Sequence, residues 1–354
     1  MGSGERTVPN GSAKHRIVIA GCGAMAEAWV GFAKEREGAE IVGLMDIASA
    51  SAQAMAERHG LGCPVFTDLA QAIRETKADL VFDVTIPSAH HATVKTALSL
   101  GCDVLGEKPM AESLEQARDM VATAAACGRT YAVMQNRRYM RNIREFAELV
   151  RGGTIGRNGF LNADFFLGPH FGGFRDVMDS PLVLDMTIHT FDQARLISGA
   201  DAVAVYCHEF NPAGSWYKGN ASAICIFEMS DGSVFCYRGS WCAEGVPTSW
   251  EAEWRAVGSL GTAVWNGSAA PHAEVVKDPQ DKAFIREVER VEAPEDAGRS
   301  PGTGRENHPG CLDAMFEALE AGGKPETDCG DNLHSMEMVF GAIRSARERR
   351  RVEI

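Results

Sequence analysis

The sequence Gly21-Cys22-Gly23-Ala24-Met25-Ala26 follows directly on the apolar run Ile17–Ala20 and leads into a helical pattern. This order of strand, turn and helix is the context that a phosphate-binding glycine loop requires. Without side chains at Gly21 and Gly23 the backbone can turn sharply and approach a pyrophosphate, while the small Ala26 lets the helix pack close to the strand. The helix N-terminus then presents unpaired N–H groups to the anion. The motif therefore predicts a dinucleotide-binding domain.

A second apolar run, Glu40–Met45, ends in Asp46, which lies 23 residues after Gly23. At about this spacing a carboxylate receives the ribose hydroxyls of NAD and repels the 2′-phosphate of NADP. The next residues, Ile47-Ala48-Ser49, supply no cation for such a phosphate. We therefore expect NAD rather than NADP as cofactor, bound by Gly21, Gly23, Ala24, Met25 and Asp46. An ordinary glycine turn, with Asp46 capping the next helix, is the structural alternative.

Charge and composition exclude several classes of protein. The 354 residues carry 35 basic and 48 acidic side chains, and the net charge of −13 repels nucleic acids. No apolar run approaches the roughly 20 residues that span a bilayer, and residues 1–14 lack the apolar centre of a signal peptide, so we expect a flexible tail there. The ten cysteines form no CxxC pair and no cluster at zinc-ligand spacing. This pattern argues against disulfides and a metal and favours a reduced, cytoplasmic protein.

The pattern of apolar and helical segments changes after Gly152-Gly153. From Arg16 to Asn136, short apolar runs alternate with helical patterns, which is typical of parallel strands joined by crossover helices. Longer β-rich segments follow, and Asp231-Gly232 between two of them predicts a tight hairpin. We expect an α/β protein with an N-terminal Rossmann domain over residues 15–135. A C-terminal α/β domain over residues 136–354 should contain a large open, mainly antiparallel sheet.

The predicted strands of the C-terminal domain are Phe160–Leu167, Ala202–Glu209, Ala221–Met229, Ser233–Trp241 and Ser249–Val257. Helices on one face of such a sheet leave a large apolar surface on the other, so we expect a homo-oligomer, a dimer or tetramer, joined through it. Trp216, Tyr217 and Trp241 are expected in sheet packing or subunit contact rather than in a substrate platform. Residues 277–309 should form a surface excursion, and a C-terminal helix should return toward the Rossmann domain.

One candidate catalytic residue lies in the segment Val104-Leu105-Gly106-Glu107-Lys108-Pro109, which places a lysine at the carboxyl end of a strand. Ligands of open α/β sheets bind at this edge, so an ammonium there is positioned to exchange a proton with a substrate hydroxyl. The alternative is a surface lysine that pairs with Glu107.

A second candidate set lies just after Ser180. Ser180 as N-cap and Pro181 at the first position predict the start of a helix. A spacing of four residues places Asp185 and His189 on one face of that helix. Because Asp192 lies close to the same face, a solvated polar stripe, or a helix whose histidine belongs to the core, is the alternative.

In the order of its motifs the chain resembles the glucose-fructose oxidoreductase / inositol dehydrogenase / rhizopine catabolism (Gfo/Idh/MocA) family, from Arg16 to the C-terminus. The residues that carry the resemblance are Gly21–Ala26, Asp46, Thr85-Ile86-Pro87 with His91, Glu107-Lys108-Pro109, the Asp185/His189 helix and Leu333–Ser345. Ile86 departs from the family, in which many members have proline or another small residue. The loop on the nicotinamide side is therefore expected to differ in shape.

The resemblance implies an NAD-dependent dehydrogenase that oxidises a secondary hydroxyl of a sugar, sugar derivative or cyclitol. It implies Lys108, Asp185 and His189 as the catalytic set: His189 accepts the proton, Lys108 is a hydrogen-bonding acid/base, and Asp185 orients the substrate. It also implies cofactor contacts from Thr85, Pro87, His91, Glu107, Lys108 and Asn136. The family includes NAD-dependent glycoside-cleaving enzymes and non-catalytic sugar sensors, which are the alternatives. The presence of all three catalytic residues disfavours a sensor.

The segment Gly168–Asp179 immediately precedes the Asp185/His189 helix and carries Phe171 and Arg175. Aromatic rings suit the apolar face of a sugar, and an arginine can bind a hydroxyl or an acidic group. We therefore expect the substrate pocket to be lined by Phe171, Arg175, Asp185 and His189. Gly172-Gly173 leaves the alternative that this segment is simply a mobile loop.

Overall fold

The computed structural model describes residues 15–300 and 303–354, so the tail expected over residues 1–14 lies outside the described residues. The chain divides into two compact units after Met134, one residue before the end predicted for the dinucleotide-binding domain. Both the parallel N-terminal sheet and the large, mostly antiparallel C-terminal sheet were predicted from the sequence.

The N-terminal unit alternates strands and helices, in the order β1 His15–Ala20, α1 Ala26–Glu35, β2 Ala39–Met45, α2 Ser49–His59, β3 Val65–Phe66, α3 Leu69–Thr76, β4 Leu80–Asp83, α4 Pro87–Ser99, β5 Asp103–Gly106, α5 Leu114–Cys127 and β6 Tyr131–Val133. Its strands are parallel and adopt the order β3-β2-β1-β4-β5-β6, which is the doubly wound order of a Rossmann domain. All of β4 is buried, as expected for a parallel sheet covered on both faces. The carboxyl ends of β1, β4 and β5 therefore meet at one edge.

The C-terminal unit is built on a nine-stranded sheet, and its elements are α6 Arg141–Arg151, β7 Asn158–Phe166, α7 Thr187–Ser198, β8 Ala202–Phe210, β9 Ser222–Met229, β10 Val234–Ser240, β11 Glu253–Gly258, β12 Gly261–Trp265, β13 His272–Val276, β14 Val288–Glu292, α8 Asn307–Glu320, α9 Cys329–Glu348 and β15 Val352–Glu353. The strand order is β14-β13-β12-β11-β7-β10-β9-β8-β15. Only the β7/β10 pair is parallel among the pairs described.

The two faces of the large sheet differ in what covers them. Along β9, Cys225 and Phe227 are buried, whereas Ile224 and Ile226 between them are 43 % and 46 % exposed. Helices α7 and α9 pack on the buried side. Tyr206 of the neighbouring strand extends the exposed apolar surface. This alternation is that of a sheet with one face in the core and one face open.

Two predictions about loops had different outcomes. Asp231-Gly232 forms the predicted hairpin between β9 and β10, with Gly232 at φ 84°. The surface excursion predicted over residues 277–309 is wrong in part, because β14 pairs with β13 and forms one edge of the sheet. Three of the five residues of Val288–Glu292 are charged, which is typical of an edge strand and resembles a polar loop in composition.

Candidate active site

The glycine loop follows β1, and its backbone at Gly21 passes too close to Val84 to accommodate a side chain. Gly21 has φ +89°, and a Cβ there would lie 2.5 Å from the carbonyl oxygen of Val84. A Cβ on Gly23 would meet nothing within 4 Å, and Ala26 at the start of α1 is fully buried. Gly21 is thus required by the backbone of the protein itself, whereas the space around Gly23 is open to a ligand.

Asp46 lies at the carboxyl end of β2, beside the glycine loop. One of its carboxylate oxygens accepts the N–H of Cys22 at 2.9 Å, and the other accepts the N–H of Ala48 at 2.9 Å. Two backbone donors therefore fix the carboxylate next to the loop that follows β1. This is the position that the ribose hydroxyls of a dinucleotide require.

Beyond β4 the loop that contains Thr85 is held by a buried network. Asp83 is fully buried; its Oδ2 lies 2.8 Å from Nδ1 of His90, and its Oδ1 accepts the Thr85 hydroxyl at 2.6 Å. His91 was predicted to contact the cofactor, but its Nε2 lies 2.7 Å from Asp119 of α5. A cofactor contact of His91 remains a prediction. His90 was missed, although it shares the buried helix face of Val94 and Ala97.

Glu107 and Lys108 follow β5 at the same sheet edge. Glu107 is buried and accepts the indole N–H of Trp29 at 2.8 Å and the backbone N–H of Lys108 at 3.2 Å. Its own N–H donates to the Asp83 carbonyl at 2.9 Å, and the Lys108-Pro109 bond is cis. The three hydrogen bonds of Glu107 hold the backbone at Lys108 in place, so Glu107 positions the Lys108 residue within the N-terminal unit.

The helix that carries the second candidate set begins at Pro181, as predicted, but it is not a continuous α-helix. Residues Leu182–Met186 form a π-helical turn in which the Thr187 N–H donates to the Leu182 carbonyl, five residues back. The Thr187 hydroxyl donates to the Val183 carbonyl at 2.7 Å, which supports this wider turn. Asp185 lies in the π turn and His189 in α7. The four residues from Asp185 to His189 therefore do not lie in one regular α-helix, and the shared face expected for the two side chains remains a prediction.

The prediction that Ser180 caps the helix with its side chain is also wrong, because its hydroxyl donates to Glu209 of β8 at 3.1 Å. Burial raises the pKa of Glu209 to about 7, partly offset by that hydrogen bond. Glu209 was not among the predicted site residues, although it occupies an inward position of β8, on the same side as Val205 and Cys207. A charged residue on the buried side of a strand is a signal that sequence reasoning can use.

The alternative of a solvated stripe on α7 is excluded, because every residue from Thr187 to Ile197 is buried and His189 is 8 % exposed. Asp192 forms a double hydrogen bond with Arg138, at 2.6 and 2.7 Å, and accepts the Ser335 hydroxyl at 2.8 Å. Arg138 follows Asn136 in a short 3-10 helix. The predicted cofactor residue Asn136 therefore starts a segment that is tied directly to α7.

Arg175 contacts one of the predicted catalytic residues directly. Its Nε donates to Oδ2 of Asp185 at 2.6 Å. The guanidinium carbon lies 5.1 Å from the centre of the Phe171 ring and 4.6 Å from that of Phe174. Gly172 and Gly173, with φ near +70°, shape the loop between these rings. The structure thus brings Phe171, Arg175 and Asp185 together, and a substrate pocket lined by them remains a prediction.

The predicted aromatic residues of the sheet are in packing positions. Tyr217 and Trp241 are buried and stack with ring centres 6.0 Å apart, and Trp216 stacks on His170 at 3.7 Å. Trp241 also contacts the Phe171 ring edge to face at 5.7 Å. Trp216 and Trp241 therefore pack against His170 and Phe171 of the segment Gly168–Asp179 and hold that segment in place.

Two family models match the chain. Residues 15–135 match the model described as "Oxidoreductase family, NAD-binding Rossmann fold", and residues 143–264 match the "GFO/IDH/MocA C-terminal domain". The chain belongs to the Gfo/Idh/MocA family. As a member of this family it is an oxidoreductase whose Rossmann domain binds NAD. The resemblance inferred from the sequence motifs is confirmed.

Curated relatives of this Gfo/Idh/MocA protein include named sugar dehydrogenases. D-apiose dehydrogenase of Paraburkholderia graminis is 26 % identical over 353 residues, which cover 95 % of this chain and 88 % of that protein. D-glucoside 3-dehydrogenase of Escherichia coli is 29 % identical over 207 residues. That match covers 56 % of this chain and 59 % of the relative, so it spans less than two thirds of the relative's length.

Solved structures of the family have the same fold. The crystal structure of an oxidoreductase from Agrobacterium radiobacter, in complex with NAD+, L-tartaric acid and magnesium, superposes with a TM-score of 0.81 at 21 % identity. The match covers 96 % of this chain and 98 % of that chain. In residues 15–300 and 303–354, no helix combines the length and apolar character needed to cross a membrane. The same residues hold no group of three or more histidine, cysteine or acidic side chains placed to bind a metal ion.

Proposed function

We propose that this protein is an NAD-dependent dehydrogenase that oxidises a secondary hydroxyl of a sugar, a sugar derivative or a cyclitol. The named relatives support a carbohydrate substrate, since both are dehydrogenases of sugars or glycosides. The observation that carries the proposal is the position of Lys108 after the carboxyl end of β5, at the same sheet edge as the glycine loop that follows β1, in an NAD-binding domain. That edge of a doubly wound sheet is where the reacting end of a dinucleotide lies.

The residues at the glycine loop fit NAD. Gly23 leaves open space before the first turn of α1, where a pyrophosphate finds backbone N–H donors. Asp46, held by the N–H groups of Cys22 and Ala48, is placed to accept the ribose hydroxyls. Bound NAD supplies the acceptor for the hydride that leaves the carbinol carbon. Thr85, fixed on Asp83, would contact the nicotinamide half.

The remaining task of the protein is to remove the hydroxyl proton. In this proposal His189 accepts the hydroxyl proton and later releases it to solvent, while Lys108 keeps its own protons and donates a hydrogen bond to the same oxygen. The burial of His189 keeps water from competing for the reacting hydroxyl. Asp185, held by Arg175 at 2.6 Å, accepts a neighbouring hydroxyl and thereby orients the ring.

Lys108→Ala and His189→Ala test these roles. Each should lower turnover by about 10² to 10⁴-fold, the usual contribution of an acid/base group, with NAD affinity largely retained. The matched controls are Lys95→Ala and His334→Ala, since Lys95 pairs with Asp119 at the surface and His334 is half exposed on α9. Near-normal turnover in both active-site variants would refute the assignment.

Cofactor preference tests the role of Asp46. Asp46→Ala removes both the ribose acceptor and the negative charge that repels a 2′-phosphate, so NAD affinity should fall more than NADP affinity. Fluorescence titration of the wild type with both reduced cofactors should show clear preference for NADH. Equal or tighter binding of NADPH would show that Asp46 does not face the ribose.

A further inference from the structure

Arg175 is held in one orientation by contacts on three sides. Its Nε is bound to Asp185 at 2.6 Å, and the rings of Phe171 and Phe174 lie 5.1 and 4.6 Å from the guanidinium carbon. Cation–π contacts of this kind restrain a planar guanidinium without using its hydrogen-bond donors. The arginine is therefore ordered before any ligand arrives.

The loop that carries these rings is anchored at both ends. His170 stacks on Trp216 at 3.7 Å and lies 2.8 Å from Glu244, and the Lys218 N–H donates to the Asp176 carbonyl at 2.8 Å. Phe171 also rests on Trp241. Such contacts argue against the alternative that Gly172-Gly173 marks a merely mobile loop.

The contacts of Arg175 leave part of its donor set available. Among the hydrogen bonds of residues 15–300 and 303–354, none uses Nη1 or Nη2 of Arg175 or Oδ1 of Asp185. The Arg175 side chain is 31 % exposed, whereas Asp185 is 14 % exposed. Two terminal donors and one carboxylate oxygen thus lie on adjacent groups of the same ion pair.

We propose that Arg175 binds a carboxylate of the substrate through Nη1 and Nη2 while Asp185 accepts a neighbouring hydroxyl, so that the preferred substrate is a sugar acid. Two parallel N–H donors match a carboxylate in a bidentate arrangement. Because Asp185 already neutralises Arg175, a singly charged carboxylate is favoured over a doubly charged phosphate. This inference rests on the proposed function, since it names the substrate class of the same site.

Binding to the NADH-loaded protein tests the inference without requiring turnover. Isothermal titration should compare D-glucuronate with D-glucose and D-glucose 6-phosphate. D-glucuronate should bind about tenfold or more tightly than glucose, which corresponds to one charge-assisted bidentate contact, and this preference should weaken as salt is raised. Arg175→Gln should abolish the preference, and Arg175→Lys should retain part of it because a point charge replaces the fork.

Arg290→Gln is the matched control, because Arg290 pairs with Glu292 at the exposed edge of the sheet and should leave the preference intact. Equal binding of glucuronate and glucose, absence of sugar-acid binding, tighter binding of the 6-phosphate, or an unchanged preference in Arg175→Gln would each overturn the inference. NADH formation from neutral sugars alone would overturn it and leave the dehydrogenase standing. Arg175-dependent binding of glucuronate with no NAD reduction by any polyol would support the carboxylate site and refute the proposed function.

Discussion

Replacement of Glu209 by glutamine should change the pH dependence of stability of the C-terminal unit. Oε2 of Glu209 accepts the Ser180 hydroxyl, while Oε1 is buried and, within the described residues, has no hydrogen-bond partner. Burial raises the pKa of Glu209 from 4.5 to about 7, which means that the folded state favours the protonated carboxyl. Glu209 therefore contributes stability below pH 4.5, and this contribution is lost as the pH rises through 7.

The size of the effect follows from the two pKa values of Glu209. A tenfold change in proton affinity is worth about 1.4 kcal/mol, so ionised Glu209 costs the folded state about 3 kcal/mol. Glutamine cannot ionise and retains an oxygen for the Ser180 hydroxyl. Because an unfolded glutamate has already begun to ionise at pH 5, the stability difference between variant and wild type should change by about 2 to 3 kcal/mol between pH 5 and pH 8.

Urea unfolding at pH 5 and pH 8, followed by tryptophan fluorescence, measures this change, since five of the six tryptophans lie in the C-terminal unit. Glu209→Gln should gain stability relative to the wild type as the pH is raised. The control is Glu228→Gln on β9: hydrogen bonding to Arg351 lowers the pKa of that exposed carboxylate below 4.5, so its difference from the wild type should be nearly the same at pH 5 and pH 8. A difference between Glu209→Gln and wild type that is the same at both pH values would refute the reasoning.

Three further results are expected. Gly21→Ala should lower the melting temperature, because the added Cβ would clash with the backbone of Val84 at a positive φ. Gly23→Ala should melt like the wild type but lose the increase in melting temperature that NAD binding gives, because the space around Gly23 is open. Melting curves that are the same for the two variants would contradict this. Arg138→Met should destabilise the protein by about 3 to 5 kcal/mol in urea unfolding, because the buried Asp192 carboxylate would lose both of its hydrogen bonds to Arg138. A loss below about 1 kcal/mol would be inconsistent with a buried ion pair. Light scattering should show that the wild type is a homo-oligomer. Ile226→Lys should dissociate the oligomer, since Ile226 lies on the open face of the large sheet. A monomeric wild type at micromolar concentration would contradict the predicted oligomer.

The parts of the fold that short-range patterns specify were predictable. The strand before Gly21, the acidic residue after β2 and the hairpin at Asp231-Gly232 each depend on neighbours in sequence, and each was predicted in the right place. The π turn before Thr187 was not predictable in this way. It depends on a side-chain bond to the Val183 carbonyl and on packing of the whole helix, neither of which periodicity reports.

Among the candidate site residues, too, positions within an element were predictable from sequence, whereas contacts between distant segments were not. Lys108 at a strand end and Asp185 and His189 near a helix start were predicted from their positions and from the family resemblance, and their catalytic roles remain predictions. His91 was predicted from the resemblance, and its cofactor contact remains a prediction; the phase of α4 places His90 on the Asp83 side and His91 toward Asp119. The contacts made by each side chain were less predictable, because they join distant segments. Arg175 was expected to bind substrate, but its bond to Asp185 became apparent only in the folded chain.

The central claim is that the protein transfers a hydride from a carbohydrate alcohol to NAD. The most direct measurement is the stoichiometry of NADH formed against substrate consumed, over a panel of sugars, sugar acids, inositols and glycosides, repeated with a substrate deuterated at its carbinol carbon. The account predicts one NADH per oxidised hydroxyl and slower NADH formation from the deuterated substrate. Release of an aglycone without net NADH would instead identify a glycoside-cleaving enzyme. Tight sugar binding with no NAD reduction by any member of the panel would contradict the account and identify a sensor.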